Sequence, residues 1–298
     1  MLYPQQNAIR NTFDLSGFWN FRLDPDEIGE SAGWFDGLGV SRQIAVPGSW
    51  NEQFQDTRDY LGTGWYTRWF YVPSGWQGQD VFLRVGSANY AAKVWLNGAL
   101  VGEHQGGHLP FDLEVTDQIN WEDENLIAIQ VEAELRPDRV PPGNFDREGL
   151  GGFLASYPNT AFDFFPYAGL HRPVILYAVP TVRIADVTVV ANVIDGEGIV
   201  DVTVTEAGRE GGVGRVRLVG QNVDADEPLA FQDGQARAAI RVPQARLWRP
   251  DDPYLYKLEV ILADGARVGD RYQLDIGIRT IAIQGDKLLL NGEPIYLT

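Results

Sequence analysis

The chain has 298 residues, 44% of them hydrophobic, no cysteine and a formal net charge of −17. That length accommodates two domains with cores of their own. The charge opposes nucleic acid and anionic membrane surfaces as partners, and the missing cysteines exclude disulfides and thiolate chemistry.

The opening "MLYPQQNAIRN" lacks a basic stretch followed by an apolar run, so no signal peptide is expected. No later run approaches a membrane-spanning length. The expectation is a soluble, cytoplasmic protein. Helical periodicity is scarce, and only "ESAGWFDGL" (30–38) and "SWNEQFQD" (49–56) can make a turn or two. "QDVFLRVGS" (79–87) alternates into "AAKVWLNGALVGEH" (91–104), a hairpin around Asn97-Gly98. "NLIAIQVEA" (125–133) and "PVILYAV" (173–179) are further strands, and 184–194 with 199–207 form an adjacent pair. Residues 254–278 read as two strands joined near Asp264-Gly265, and "DKLLLNGEPIYLT" (286–298) as a hairpin arm, an Asn-Gly turn and a β-prone ending. Many short strands with regular turns give an all-β protein built of antiparallel sandwiches.

Composition shifts near Pro180. Residues 1–180 suit a large jelly-roll sandwich; 181–279, rich in small β-branched residues and Gly/Asp turns, have the size of an immunoglobulin-like sandwich. Between the two bodies of strands, 136–160 is long, Gly- and Pro-rich and without periodicity, as functional loops are.

Candidate chemistry is sparse. His104 and His108 have a helical zinc spacing but are separated by Gly106-Gly107 beside strands, so they read as loop histidines and no metal or cofactor is expected. The acidic clusters Asp24/Asp26/Glu27, Asp224/Asp226/Glu227 and Asp251/Asp252 lie beside proline or in polar stretches and read as solvated turns. Asp163 differs: in "AFDFFPYAGLHRP" it is set among Phe162, Phe164, Phe165 and Tyr167. A carboxylate among rings is costly unless paired or hydrogen-bonded. Two roles fit, a structural ion pair with Arg172 as one partner, or a polar group at the rim of a ring-lined pocket. Trp19, Trp65 and Trp95 fall in strand patterns and read as packing residues.

Several segments, in order, resemble the β-glucuronidases of glycoside hydrolase family 2: "AVPGSWNEQF" (45–54), "GWYTRWFYVPSGWQGQ" (64–79), "KVWLNGALVGEHQGGHLPFDLEVT" (93–116), "FDFFPYAGLHRPVILY" (162–177), "LWRPDDPYLYKLEV" (247–260) and "IGIRTIAIQGDKLLLNGEPIYLT" (276–298). The resemblance implies a jelly-roll sugar-binding domain, an immunoglobulin-like sandwich, and in 280–298 the entry hairpin and first strand of a (β/α)8 barrel. It implies that the acid/base and nucleophile carboxylates lie in that barrel, beyond residue 298, so this chain carries no catalytic residue. Asp163 matches a family Asp that contacts sugar, and it is the expected substrate-binding residue. Tyr167 and His171 also match family positions, where they anchor the turn and strand. Expected partners are a carbohydrate, a glucuronide, in the intact enzyme and further copies of the chain. Two other readings remain: a stand-alone carbohydrate-binding module, or a structural assembly protein without catalysis.

Overall fold

The computed structural model describes residues 2–140, 142, 165–209 and 211–296. It is all-β apart from single helical turns. The chain divides into two compact units, one of residues 11–178 and one of residues 179–298 together with the first ten.

The first unit is a sandwich. One sheet has four strands, Asn11–Asp14, Val174–Val179, Asp80–Val85 and Phe111–Glu114, in that spatial order. The other has six: Arg42–Val46, Gly17–Asp24, Thr63–Phe70, Asn125–Glu132, Ala91–Leu96 and Ala99–Gln105. Asn11–Asp14 pairs antiparallel with Val174–Val179 and Phe111–Glu114 with Asp80–Val85, and every pairing in the six-stranded sheet is antiparallel. Alternation drives the packing, because successive side chains of a strand leave on opposite faces. Val81, Leu83, Leu176 and Ala178 from one sheet meet Trp19, Phe21, Tyr66, Ile127 and Ile129 from the other in a single buried cluster.

The larger sheet is buried on its second face too, at one end. Trp65 follows the opposite direction from Tyr66 and packs with Trp34, Leu38, Trp95 and Ala128. The Trp65 and Trp95 rings stack at 5.0 Å, and Trp34 meets Trp65 edge-on at 6.2 Å. The 30–38 segment, which makes one 3-10 turn at Trp34–Asp36, thus serves as a lid on the sheet. Asp24 ties it down. Its carboxylate accepts from the N–H groups of Ile28 (2.9 Å) and Gly29 (2.9 Å) and from Trp65 Nε1 (3.0 Å), and the residue is 1% exposed. Gly29 is required there because a Cβ would run into Trp65 Nε1. The expectation that Asp24 is a solvated turn residue is therefore corrected: it is a buried acceptor of three convergent N–H groups.

The second unit is a seven-stranded, immunoglobulin-like sandwich. Arg183–Ile194, Glu197–Ala207 and Gln235–Val242 form one sheet; Val223–Ala230, Val213–Gly220, Tyr256–Asp264 and Arg267–Ile276 form the other. Asp224 and Asp226 are not in a turn, as their composition implied, but on Val223–Ala230. This is an edge strand, which tolerates Pro228 and charge. Asp224 and Asp226 receive Arg217 (3.0 Å) and Arg215 (3.0 Å) across the ladder. Asp252 sits at an exposed turn and pairs with Arg246 at 2.6 Å.

The composition shift at Pro180 groups the first ten residues with the first sandwich, whereas the structure packs them on the second. Tyr272 Oη donates to Tyr3 O (2.9 Å), Gln5 exchanges bonds with the backbone of Gln273, and Arg10 is fully committed to Asp270. Arg10 Nε and Nη2 reach the two Asp270 oxygens at 2.9 and 2.6 Å, and Nη2 also donates to Ile184 O at 2.6 Å. No local pattern in "LYPQQNAIR" announces this, because every partner is distant in sequence.

The hairpin Ile281–Gln284 with Lys287–Leu290 is joined by Glu293–Pro294, around Asn291-Gly292. Asn291 anchors it, donating to Trp248 O (3.0 Å) and accepting from Thr280 N (3.0 Å). In the β-prone ending Ile295 N donates to Leu288 O at 2.9 Å; residues 297 and 298 lie outside the described residues.

Candidate functional site

A three-stranded patch of Gly48–Ser49, Gly169–Leu170 and Ala88–Asn89 gathers the ends of the long strands at one corner of the first sandwich. Two buried asparagines build this corner. Asn51 is the second residue of the α-turn Trp50–Gln53, which Ser49 caps. Its Nδ2 donates to the carbonyls of Thr57, Arg58 and Tyr60, each at 3.0 Å, and its Oδ1 accepts from Ala168 N at 2.8 Å. Asn89 donates to Tyr167 O (3.0 Å) and accepts from His108 N (3.1 Å) and Ser87 Oγ (3.1 Å). Both amides therefore clamp segment 165–171 onto the sandwich. Gly169, at φ +114, fits because a Cβ would lie 2.7 Å from Tyr66 Oη.

An open cleft of about 750 Å3 runs from the α-turn to this clamped segment, between Asn51–Gln55, Arg58 and Asp59 on one side and Phe165 and Tyr167 on the other. The rings of Phe165 and Tyr167 lie 5.0 Å apart. Glu52 and Asp59 are exposed in the cleft. The described cleft offers an aromatic wall, Phe165 and Tyr167, and the hydrogen-bonding groups of Asn51, Glu52, Gln53, Gln55, Arg58 and Asp59.

Asp163 and the 143–160 part of the long loop lie outside the described residues, as do Phe162 and Phe164. Tyr167 is 42% exposed at the cleft while its backbone is held by Asn89. His171 is anchored through its N–H to Ser87 O at 3.2 Å. His104 and His108 have separate surroundings. His104 stacks on Phe111 at 4.3 Å with Nε2 3.0 Å from Gly106 O, and His108 packs against Tyr90 at 5.8 Å. Among the described residues no group of three or more His, Asp or Glu side chains is placed to hold a metal. Trp19, Trp65 and Trp95 are buried, as packing residues. Asn51 and Asn89 were not singled out by sequence; an amide in the middle of an otherwise apolar run such as "VGSANYAAKVW" is the one signal that marks Asn89.

Two family descriptions match the chain in tandem: "Glycosyl hydrolases family 2, sugar binding domain" over residues 13–180 and "Glycosyl hydrolases family 2" over 182–279. The chain belongs to glycosyl hydrolase family 2. Its curated relatives include proteins named beta-glucuronidase from Paenibacillus borealis, 38% identical over 304 residues, and from Felis catus, 37% identical over 324 residues. Each alignment covers 99% of this chain and 50% or 49% of the relative. Among solved structures, the β-glucuronidase from Ruminococcus gnavus in complex with D-glucuronic acid matches with a TM-score of 0.86 at 31% identity, over 99% of this chain and 50% of that one. The chain thus spans about half the length of the relatives it matches.

Within the family 2 sugar-binding domain, this corner brings His108 and His171 to a ring separation of 6.3 Å. Burial lowers the pKa of both His171 and His108 from the ordinary 6.5; for His171 this outweighs a backbone bond to Ala168 and the Glu52 carboxylate, which raise it, and for His108 the Arg172 guanidinium adds to the lowering. Among the described residues His171 Nε2 is buried without a hydrogen-bond partner, and burial pushes the Tyr90 phenol up to about 12. A histidine whose folded pKa lies below its unfolded value is neutral in both states above that value. As pH falls through it, the unfolded chain takes up protons first and the fold loses stability. Unfolding of the first sandwich is therefore expected to become easier as pH falls below the ordinary histidine value of about 6.5, with a shallower fall in His171→Asn. An NMR titration that puts both imidazoles at or above 6.5 would contradict this.

Proposed function

We propose that this chain is the amino-terminal, non-catalytic part of a β-glucuronidase-like retaining glycosidase. The observation that carries the reading is the match along 99% of the chain to half the length of proteins named beta-glucuronidase. In the intact enzyme a following (β/α)8 barrel supplies the two carboxylates of retaining hydrolysis, one attacking the anomeric carbon and one protonating the leaving oxygen. Residues 280–298 are the hairpin that enters this barrel. Its exposed apolar side chains support the reading: Ile281 is 64%, Ile283 81% and Tyr296 86% exposed, surface that a further domain would cover. The corner of the first sandwich holds the segment that follows the loop carrying Asp163, through Asn51 and Asn89, and in this reading Asp163 reaches the sugar, a glucuronide. The assembled enzyme self-associates.

The test is a comparison of this chain alone with the same chain joined to the carboxy-terminal half of the Paenibacillus borealis relative. The joined protein is expected to hydrolyse an aryl β-glucuronide and the chain alone to give no turnover above a heat-denatured control. In the joined protein Asp163→Ala lowers kcat/KM by about tenfold or more, because a hydrogen bond to a charged group is worth roughly 1.5–3 kcal/mol. The melting temperature hardly moves. Turnover by the chain alone that disappears with Asp163→Asn would overturn the non-catalytic reading. A large stability loss with unchanged kinetics would make Asp163 an ion-pair residue instead.

A further inference from the structure

The lid over the six-stranded sheet covers only one end of its outer face. Along Thr63–Phe70, Trp65, Thr67 and Trp69 share that face by alternation. Trp65 and Thr67 are 0% and 2% exposed, but Trp69, beyond the lid, is 52% exposed. It opens onto a cleft of about 440 Å3 floored by Ile119 and Leu126, which are nearly buried. Asp36, Gln118 and Asn120 also line this cleft. Its wall is rigid, because Asn97 donates to Gln118 O (2.8 Å) and Asn125 Oδ1 (2.8 Å) and accepts from Leu126 N (2.9 Å). The rim is uncommitted. Among the described residues the Asp36 carboxylate and the Gln118 amide have no hydrogen bond, and Asn120 uses only its Oδ1, accepting from Glu122 N at 3.3 Å. An indole with one open face, an apolar floor and a rim of free amides and a carboxylate complements one chemical class closely. A pyranose has a C–H face that stacks on a ring and an edge of hydroxyls that both donate and accept.

We propose that the Trp69 cleft is a saccharide-binding site for a neutral pyranose unit of a glycan. The unit stacks on the indole, and its hydroxyls bond to Asp36, Gln118 and Asn120. A uronate is disfavoured there, since the Asp36 carboxylate and the chain's net charge of −17 both repel an anion. The competing occupant is a protein. Phe18, 73% exposed, falls on the same outer face by register, since Asn20 lies opposite Thr67, and it widens the apolar surface.

The experiment runs the full chain in native gels containing soluble galactomannan, glucomannan, xylan or mixed-linkage β-glucan, alongside polyglucuronate. It then titrates the chain with the matching oligosaccharides up to about 10 mM, the range of weak single-site sugar binding. Retardation is expected with at least one neutral polysaccharide and not with polyglucuronate. Trp69→Ala abolishes it, and Gln118→Ala, which leaves the ring in place, weakens binding about threefold to tenfold. Both variants should keep the parent circular dichroism and unfolding midpoint, because both side chains lie at the surface. The proposal is overturned if no neutral sugar binds, or if Trp69→Ala binds like the parent. It is equally overturned if Trp69→Ala changes only the sedimentation coefficient, which would make the face a protein interface.

Discussion

Arg10→Ala is expected to destabilise the second sandwich by about 3–5 kcal/mol, the penalty for stranding one member of a buried ion pair. The side chains of Arg10 and Asp270 are 5% and 0% exposed, and their closest approach is 2.6 Å. With the guanidinium gone, Asp270 keeps, among the described residues, the N–H groups of Ile184 (2.7 Å) and Arg271 (2.8 Å), which cannot cancel a full buried charge. The same residue links the amino-terminal segment to two strands, since Arg10 also donates to Ile184 O and lies over the Tyr272 ring at 5.2 Å. Urea unfolding followed by hydrogen exchange at the Ile184 and Tyr272 amides measures the loss. Replacing both partners by apolar residues, Arg10→Met with Asp270→Leu, should recover much of it, because a well-packed apolar pair is often as stable as a buried ion pair. A stability change in Arg10→Ala within about 0.5 kcal/mol of zero would mean that the amino-terminal segment is not held where the structure puts it.

Asp24→Ala should detach the lid of the first sandwich. It leaves three N–H groups without an acceptor, two of them from the lid's own backbone at Ile28 and Gly29 and the third from Trp65. At roughly 1–3 kcal/mol for each buried unsatisfied group, with partial relief from entering water, a loss of about 3 kcal/mol is expected. Asp24→Asn cannot repair it. Oδ1 serves Ile28 and Oδ2 serves both Gly29 and Trp65, so an amide nitrogen in either place meets a donor with a donor. Near-UV circular dichroism should report the change directly, because the lid carries Trp34 onto the stacked Trp65 and Trp95. An unaltered aromatic spectrum in Asp24→Ala would show that Trp packing alone secures the lid.

The features legible in the sequence are those encoded by neighbouring residues. Asn97-Gly98, Asp195-Gly196 and Asn291-Gly292 take paired left-handed conformations, φ 52° and 81°, 52° and 80°, 53° and 82°, which few other residue pairs adopt without strain. Their hairpins follow from turn chemistry whatever surrounds them. Strand alternation likewise marks Trp19, Trp65 and Trp95 as packing residues, and "SWNEQF" carries its own cap for the short helix. Together with the ordered motifs, these suffice for two β-sandwiches and for the family. Asp163 is legible too, as a carboxylate out of place among rings, though its geometry belongs to the undescribed segment.

What the tertiary structure alone decides is where charge and aromatic surface end up. Asp24 resembles any acidic turn residue until Trp65, 41 positions away, donates to it; Arg10 resembles a solvated arginine until Asp270, 260 positions away, accepts from it. Asp224 and Asp226 have the composition of a turn, yet two arginines on the adjacent strand and an edge position make them a strand. Trp65 and Trp69 stand in the same alternation on the same face, and the sequence gives no reason to separate them. The lid covers one and leaves the other at a cleft, because burial is fixed by which distant segment crosses a surface, and strand period specifies only the side of the sheet.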